Sequence, residues 1–120
     1  MTDELSGKSI LLVEDDDLVA MTVEDILVYA KAKVEIAGRV DQALQALAAR
    51  EFDLAIVDIN LNGQPSWPVA AELRSRGIPY LTVSGYGDMV EHELAGILLP
   101  KPYSMEALLR AASALLQPPH

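Results

Sequence analysis

The chain contains no cysteine and has few basic residues. The absence of cysteine excludes disulfide bonds, thiolate metal sites and thiol catalysis. Nine Lys and Arg residues stand against 18 Asp and Glu residues, so the formal net charge is −9. That balance disfavours binding to the phosphate backbone of nucleic acids and to anionic membrane surfaces. A metal cation or a basic patch on a partner protein suits the charge better, although acidity also serves solubility alone.

The sequence has no apolar run of membrane-spanning length and no internal repeat. Its first residues, MTDELSGKS, lack the basic segment and the apolar stretch of a secretory signal. Hydrophobic residues make up 51% of the 120 residues, which is enough to fill one core and to disfavour a disordered chain. We therefore expect a soluble cytoplasmic protein with a single domain, residues 1–120, whose folded core covers about residues 8–116.

Short apolar segments alternate with segments of helical periodicity along the chain. The predicted strands are Lys8–Val13, Lys33–Ala37, Leu54–Val57, Tyr80–Val83 and Gly96–Leu99. The predicted helices are Leu18–Ala30, Asp41–Arg50, Val69–Arg76, Asp88–Leu94 and Met105–Leu116, with Asn60–Pro68 as a loop and Ser104 as the cap of the last helix. Because strands that alternate with helices form parallel sheets covered on both faces, this order predicts an α/β fold. The expected architecture is a (βα)5, flavodoxin-like, doubly wound sheet of five parallel strands in the order 2-1-3-4-5.

Polar residues stand at the carboxyl ends of four predicted strands. Glu14 and Asp15 follow the first strand, Asp58 the third, Ser84 the fourth and Lys101 the fifth. Open parallel sheets bind ligands just outside these strand ends. If the first and third strands are neighbours, three carboxylates converge there, and their repulsion makes a divalent cation the natural neutraliser. Mg²⁺ suits such a site because it prefers oxygen ligands and uses one or two carboxylates together with a substrate phosphate.

These strand-end residues together suit phosphoryl transfer. Asp58 can act as a nucleophile, since a carboxylate can form an aspartyl phosphate. Lys101 can pair with a carboxylate or a phosphate oxygen, and the Ser84 hydroxyl can donate to another phosphate oxygen. Each residue alone has an ordinary alternative: Asp58 and Ser84 as turn residues, Lys101 as a solvated loop lysine, and the acidic run 14–16 as a helix cap. Their joint placement at the strand ends favours a functional site.

Four stretches of the sequence, ILLVEDD, AIVDINLNG, TVSGYG and LLPKPY, resemble the receiver domains of two-component response regulators. The resemblance covers about residues 8–116. It implies that Asp58 accepts a phosphoryl group from a phosphohistidine on a histidine kinase or a histidine phosphotransfer protein. It also implies that Asp15 and Asp58 bind Mg²⁺ directly, that Glu14 acts mostly through water, and that Asn60 offers its backbone carbonyl to the metal.

The same resemblance implies how phosphorylation would be sensed. Ser84 corresponds to the hydroxyl that responds to the phosphoryl group, and Lys101 to the lysine typical of the family. Three positions depart from the common pattern: Asn62 stands where a proline often precedes the loop glycine, Ser84 stands where threonine is usual, and Leu98 stands where an aromatic residue is common. Because Leu98 cannot replace that aromatic ring, we expect the signal to travel through other groups.

The expected function is that of a stand-alone response regulator rather than an enzyme with a separate substrate. Such a protein catalyses its own phosphorylation and dephosphorylation. It then acts either by phosphorylation-dependent binding to a downstream protein target or as a phosphate sink. Neither nucleic acid nor a membrane is an expected partner. Receivers of this kind often form homodimers through the fourth helix, the fifth strand and the fifth helix, which makes a homodimer through that face an open option here.

Three other classes share parts of this pattern. A haloacid-dehalogenase-like phosphohydrolase also uses a strand-end aspartate and Mg²⁺, but it needs a longer chain and an acid two residues later, where this sequence has Asn60. A small flavin-binding domain needs a phosphate-cradling loop after the first strand, where the acidic run 14–16 would repel a phosphate. A receiver fold without phosphorylation is disfavoured by the intact acids together with Ser84 and Lys101.

Overall fold

The computed structural model describes residues 5–58, 60–61, 64–84, 97–100 and 105–116. In chain order its elements are β1 (Ser9–Val13), α1 (Asp17–Tyr29), β2 (Lys33–Ala37), α2 (Val40–Ala49), β3 (Leu54–Asp58), β4 (Asn60–Leu61), β5 (Gln64–Pro65), α3 (Trp67–Arg76), β6 (Tyr80–Ser84), β7 (Ile97–Pro100) and α4 (Met105–Leu116). The predicted helix Asp88–Leu94 and the predicted cap Ser104 lie outside the described residues.

The main sheet has five parallel strands in the order β2-β1-β3-β6-β7. This confirms the predicted flavodoxin-like order 2-1-3-4-5, with β6 and β7 as its fourth and fifth strands. The register places Val13 beside Val57, and Asp58 beside Val83. The carboxyl ends of β1, β3 and β6 therefore meet at one edge of the sheet, where parallel α/β sheets place their ligands.

The neighbouring strands β1 and β3 are almost entirely apolar because both faces of the sheet are covered there. Successive side chains of β1 alternate between two cores: Leu11 and Val13 pack with α2 and α3, whereas Ile10 and Leu12 pack with α1 and α4. The same alternation explains why Leu54–Val57 forms an uninterrupted buried run in β3. None of the helices in the described part of the chain has the length and apolar character needed to cross a membrane.

The segment Asn60–Pro68, predicted as a loop, contains more structure than expected. Asn60 pairs with Pro65 and Leu61 with Gln64 in a short antiparallel hairpin, and α3 then begins at Trp67. The overlooked signal is the Asn-Gly dipeptide at positions 62–63, which is typical of two-residue hairpin connections. Pro68 does not delay the helix, because proline is well accommodated in the first helical turn, where its missing N–H would have no partner.

Candidate metal centre

The centre of the site is Asp58, the last residue of β3. This strand lies in the middle of the sheet between β1 and β6, and the four residues before Asp58 are fully buried. Asp58 itself is 5% exposed and remains in register with Val83. Asp58 is therefore held at the sheet edge by a central strand.

Glu14 and Asp15 reach the same edge from the end of β1. The Glu14 N–H donates to the Ala37 carbonyl oxygen at 3.0 Å, which continues the hydrogen bonding between β1 and β2 by one residue. Glu14 is 3% exposed, and Asp15 is half-buried. Both residues are thus held at the boundary between a buried strand and the start of α1.

Asp16, the third acid of the run, has a different position. Its side-chain Oδ1 accepts hydrogen bonds from the backbone N–H groups of Leu18 at 3.0 Å and Val19 at 3.2 Å, which makes it the N-cap of α1. The Asp16 N–H in turn donates to Glu14 Oε2 at 3.1 Å. One acid of the run is therefore a helix cap, and the two before it are left for the site.

Glu14, Asp15 and Asp58 each offer one carboxylate oxygen within 4.8 Å of the other two. Two ionised carboxylates at such a separation repel by on the order of 3 kcal/mol at an effective dielectric of about 20. A divalent cation between them would turn that repulsion into attraction. The donor set, which consists of carboxylate oxygens without nitrogen or sulfur, fits a hard cation such as Mg²⁺.

The remaining predicted site residues are located only by their backbone or lie beyond the described residues. Ser84 is the last residue of β6 and is in register with Pro100 at the end of β7. Asn60 follows Asp58 by two residues and lies in β4, paired with Pro65. Lys101, directly after Pro100 in the sequence, is outside the described residues. The structure thus brings Glu14, Asp15 and Asp58 together and places the Ser84 backbone on the adjoining strand.

The family model of the response regulator receiver domain matches residues 10–113. The chain belongs to this family. Receiver domains bind Mg²⁺ at an acidic site and take phosphate from histidine kinases, so the chain is a receiver domain of two-component phosphorelay signalling. It is 31% identical over 116 residues to the response regulator MprA of Mycolicibacterium vanbaalenii, a match that covers 90% of this chain and 50% of that protein. The chain therefore spans about half the length of the curated relatives it matches.

Two solved structures show the same fold at high coverage. The solution structure of SdrG from Sphingomonas melonis Fr1 has a TM-score of 0.81 and 36% identity, covering 98% of this chain and 100% of that chain. The receiver domain of the sensor histidine kinase PA1611 from Pseudomonas aeruginosa PAO1 has a TM-score of 0.81 and 22% identity, covering 92% and 98%. The latter structure contains a magnesium ion coordinated in its active site cleft. At 22% identity, this likeness bears on the fold alone.

Proposed function

We propose that this receiver domain accepts a phosphoryl group on Asp58 from a phosphohistidine of a histidine kinase or a histidine phosphotransfer protein, in a reaction that requires Mg²⁺. The observation that carries the proposal is the position of the Asp58 carboxylate, which lies within 4.8 Å of those of Glu14 and Asp15 at the sheet edge. An isolated strand-end aspartate would not need two further acids beside it. A nucleophile that works next to a bound cation does.

The proposed transfer is a displacement at phosphorus. A carboxylate oxygen of Asp58 attacks the phosphorus atom of the phosphoimidazole, and an O–P bond forms as the N–P bond breaks. The departing imidazole nitrogen keeps the bonding electron pair. Bound Mg²⁺ would supply positive charge next to the phosphoryl oxygens, and Glu14, Asp15 and Asp58 are the residues that would hold it. In dephosphorylation, water attacks the same phosphorus atom, releasing inorganic phosphate and restoring the carboxylate.

We assign supporting roles to three further residues on the basis of the family. Asn60 would present its backbone carbonyl to the metal, Ser84 would donate its hydroxyl to a phosphoryl oxygen, and Lys101 would pair with the phosphoryl group or with Asp58. The backbone supports the first two roles, because Asn60 follows the acceptor by two residues and Ser84 ends the strand next to β3. Lys101 rests on the sequence motif alone.

The proposed output is a change in protein binding. A phosphoryl group adds about two negative charges, which shifts a surface between two states that a partner protein can distinguish. We propose a stand-alone cytoplasmic receiver that works as a diffusible switch or as a phosphate sink. The match over the whole SdrG chain supports a stand-alone protein, whereas the half-length match to MprA supports a longer one. Immunoblotting the native protein from its source cells for size separates these two options.

Intact-mass measurement tests the acceptor. Purified protein incubated with Mg²⁺ and acetyl phosphate should gain the mass of one phosphoryl group. Asp58→Asn should gain none, and a chelator should abolish uptake by the unmodified protein. Asp16→Asn is the matched control, because asparagine caps helices as well as aspartate does and Asp16 lies outside the three-carboxylate cluster. Uptake by Asp58→Asn, or uptake that a chelator does not affect, would contradict the proposal.

A further inference from the structure

A short hairpin lies between the acceptor strand β3 and the helix α3, and its second strand contains a proline. β4 (Asn60–Leu61) begins two residues after Asp58, and β5 (Gln64–Pro65) ends two residues before Trp67, the first residue of α3. The two strands are antiparallel and form a sheet of their own. Proline is uncommon in paired strands because it has no backbone N–H to donate. Its presence here therefore restricts how the hairpin can be hydrogen-bonded.

The pairing register decides which residues exchange hydrogen bonds across the hairpin. Asn60 lies opposite Pro65, and Leu61 lies opposite Gln64. In an antiparallel ladder, pairs of opposite residues that exchange both N–H···O bonds alternate with pairs that exchange none. Because Pro65 cannot donate, Asn60 and Pro65 form the non-hydrogen-bonded pair. Leu61 and Gln64 are then the hydrogen-bonded pair that closes the two-residue connection.

The backbone carbonyl of Asn60 consequently points away from β5. In a non-hydrogen-bonded pair, the N–H and C=O groups of both residues are directed to the outer edges of the two-stranded ribbon. Within the described part of the chain, no third strand pairs with the outer edge of β4. A backbone carbonyl without a protein partner is satisfied by water or by a metal ion. The register thus leaves the Asn60 oxygen available as a ligand.

A different register of the hairpin would withdraw the Asn60 oxygen. If residues 60 and 65 formed a hydrogen-bonded pair, the Asn60 carbonyl would turn towards β5 and accept the N–H of residue 65. Strands of two residues make few contacts that specify one register over another, and isolated two-stranded hairpins are only marginally stable. Any residue other than proline at position 65 would supply the N–H that the alternative pair requires.

We propose that Pro65 is a positioning residue for the metal centre. It excludes the register in which residue 65 donates to Asn60, so the Asn60 carbonyl stays free of the hairpin and available to a metal ion. Pro65 acts through Asn60 and is not itself a ligand. The inference rests on the proposed function, in which Glu14, Asp15 and Asp58 hold Mg²⁺ together with the Asn60 carbonyl.

Metal binding and the hairpin register should stabilise each other. A ligand that binds one of two conformations more tightly raises the population of that conformation, and the coupling between the two equilibria is reciprocal. The apparent dissociation constant equals the intrinsic one divided by the fraction of molecules in the competent register. A variant in which this fraction fell to about one fifth would therefore bind Mg²⁺ about fivefold more weakly.

Titration with Mg²⁺, followed by the chemical shifts of the backbone amides, tests the role of Pro65. Pro65→Ala restores an N–H at this position and should raise the Mg²⁺ dissociation constant about three- to tenfold. Pro68→Ala is the matched control, because Pro68 lies in the first turn of α3, where an N–H needs no partner. It should change the dissociation constant less than about twofold. Both variants remove one proline ring, so they share its effect on the unfolded chain.

Hydrogen exchange of single backbone amides reports the register itself. The Leu61 and Gln64 amides are the donors of the hydrogen-bonded pair, so Mg²⁺ at about ten times its dissociation constant should slow their exchange about threefold or more. In Pro65→Ala, the new amide at position 65 should be protected in the chelator and lose that protection as Mg²⁺ is added. A proline that only stiffens the chain would produce neither effect.

An ester variant separates the missing N–H from the other properties of the proline ring. Replacement of Pro65 by lactic acid, the hydroxy-acid counterpart of alanine, leaves position 65 without a ring and without a donor. This variant should bind Mg²⁺ about threefold more tightly than Pro65→Ala, because nothing at position 65 can then engage the Asn60 carbonyl. Equal affinities of the two variants would mean that the ring, and not the absent donor, is responsible.

The positioning role is refuted if Pro65→Ala binds Mg²⁺ as tightly as the unmodified protein, or if Pro68→Ala weakens binding to the same extent. Exchange at Leu61 and Gln64 that Mg²⁺ leaves unchanged would also overturn it. The proposed function fails on separate grounds, namely the absence of phosphoryl uptake at Asp58 in the intact-mass measurement. An unmodified protein that takes up one phosphoryl group and binds Mg²⁺, with Pro65→Ala equal to it, would refute the role of Pro65 alone.

Discussion

Removing the charge of Asp58 should stabilise the metal-free protein and abolish its stabilisation by Mg²⁺. The carboxylate oxygens of Glu14, Asp15 and Asp58 lie within 4.8 Å of one another. Each ionised pair at that separation repels by on the order of 3 kcal/mol at an effective dielectric of about 20. Asp58 also interacts with other groups of the fold, and the substitution changes those interactions. We therefore expect a net gain of about 1–2 kcal/mol in the free energy of unfolding for Asp58→Asn.

Thermal unfolding followed by circular dichroism measures both effects. For a domain of this size, 1 kcal/mol corresponds to about 4 °C, so Asp58→Asn should unfold about 4–8 °C higher than the unmodified protein in a chelator. Mg²⁺ at 100 times its dissociation constant should stabilise the unmodified protein by about 2.7 kcal/mol, or about 10 °C. The same Mg²⁺ concentration should shift Asp58→Asn far less, because one of the three carboxylates is gone.

The matched control is Asp16→Asn, which removes a nearby charge outside the cluster and keeps the helix cap. It should match the unmodified protein in both conditions to within about 2 °C. Asp58→Asn with a lower unfolding temperature in the chelator would refute the idea that the three carboxylates repel one another in the native state. An undiminished shift with Mg²⁺ would refute the role of Asp58 as a ligand.

Three further predictions concern local structure. All three are measured by urea unfolding, and the first is also measured by titration with Mg²⁺. Asp16→Ala removes the hydrogen-bond acceptor at the start of α1 and should lower the free energy of unfolding by about 1 kcal/mol. It should weaken Mg²⁺ binding far less than Asp15→Ala does. Equal weakening would mean that the roles of the two acids are misassigned. Lys31→Gly should raise the free energy of unfolding by up to about 1 kcal/mol, because φ is 70° at this position and glycine adopts that conformation without strain. A lower free energy of unfolding would argue against this backbone conformation. Leu27→Ala should cost about 2–5 kcal/mol, since the side chain is fully buried; a cost below 1 kcal/mol would contradict its burial.

The parallel sheet and the site edge were predictable because they rest on patterns that leave few alternatives. Runs such as Leu54–Val57 are too short for helices and apolar throughout, which is typical of strands buried on both faces. Once the strands alternate with helices, their carboxyl ends fall on one edge of the sheet, and the residues at the ends of the neighbouring strands β1 and β3 meet there. The convergence of Glu14, Asp15 and Asp58 follows from topology alone.

Features that depend on local hydrogen bonding or on the far side of a helix were harder to predict. The hairpin of β4 and β5 was missed because prolines and glycine between residues 60 and 68 suggested an irregular loop, although an Asn-Gly pair favours a tight connection. The exposed apolar side chains of α1 were missed for another reason. The helical periodicity of apolar residues identifies the side of α1 that packs on the sheet, and Val23 and Leu27 account for that side. Leu18 and Tyr29 were therefore given no role.

The three acids after β1 have the same chemistry, and the backbone gives them different roles. Glu14 still belongs to the sheet through its N–H bond to Ala37, and its carboxylate is held by the Asp16 N–H. Asp16 occupies the position just before the first helical turn, so the N–H groups of α1 engage its carboxylate. Asp15 lies between these two residues, and its carboxylate joins those of Glu14 and Asp58 in the cluster. A helix that began one residue earlier would draw Asp15 into the cap, so the start of α1 fixes the metal site as firmly as the end of β3 does.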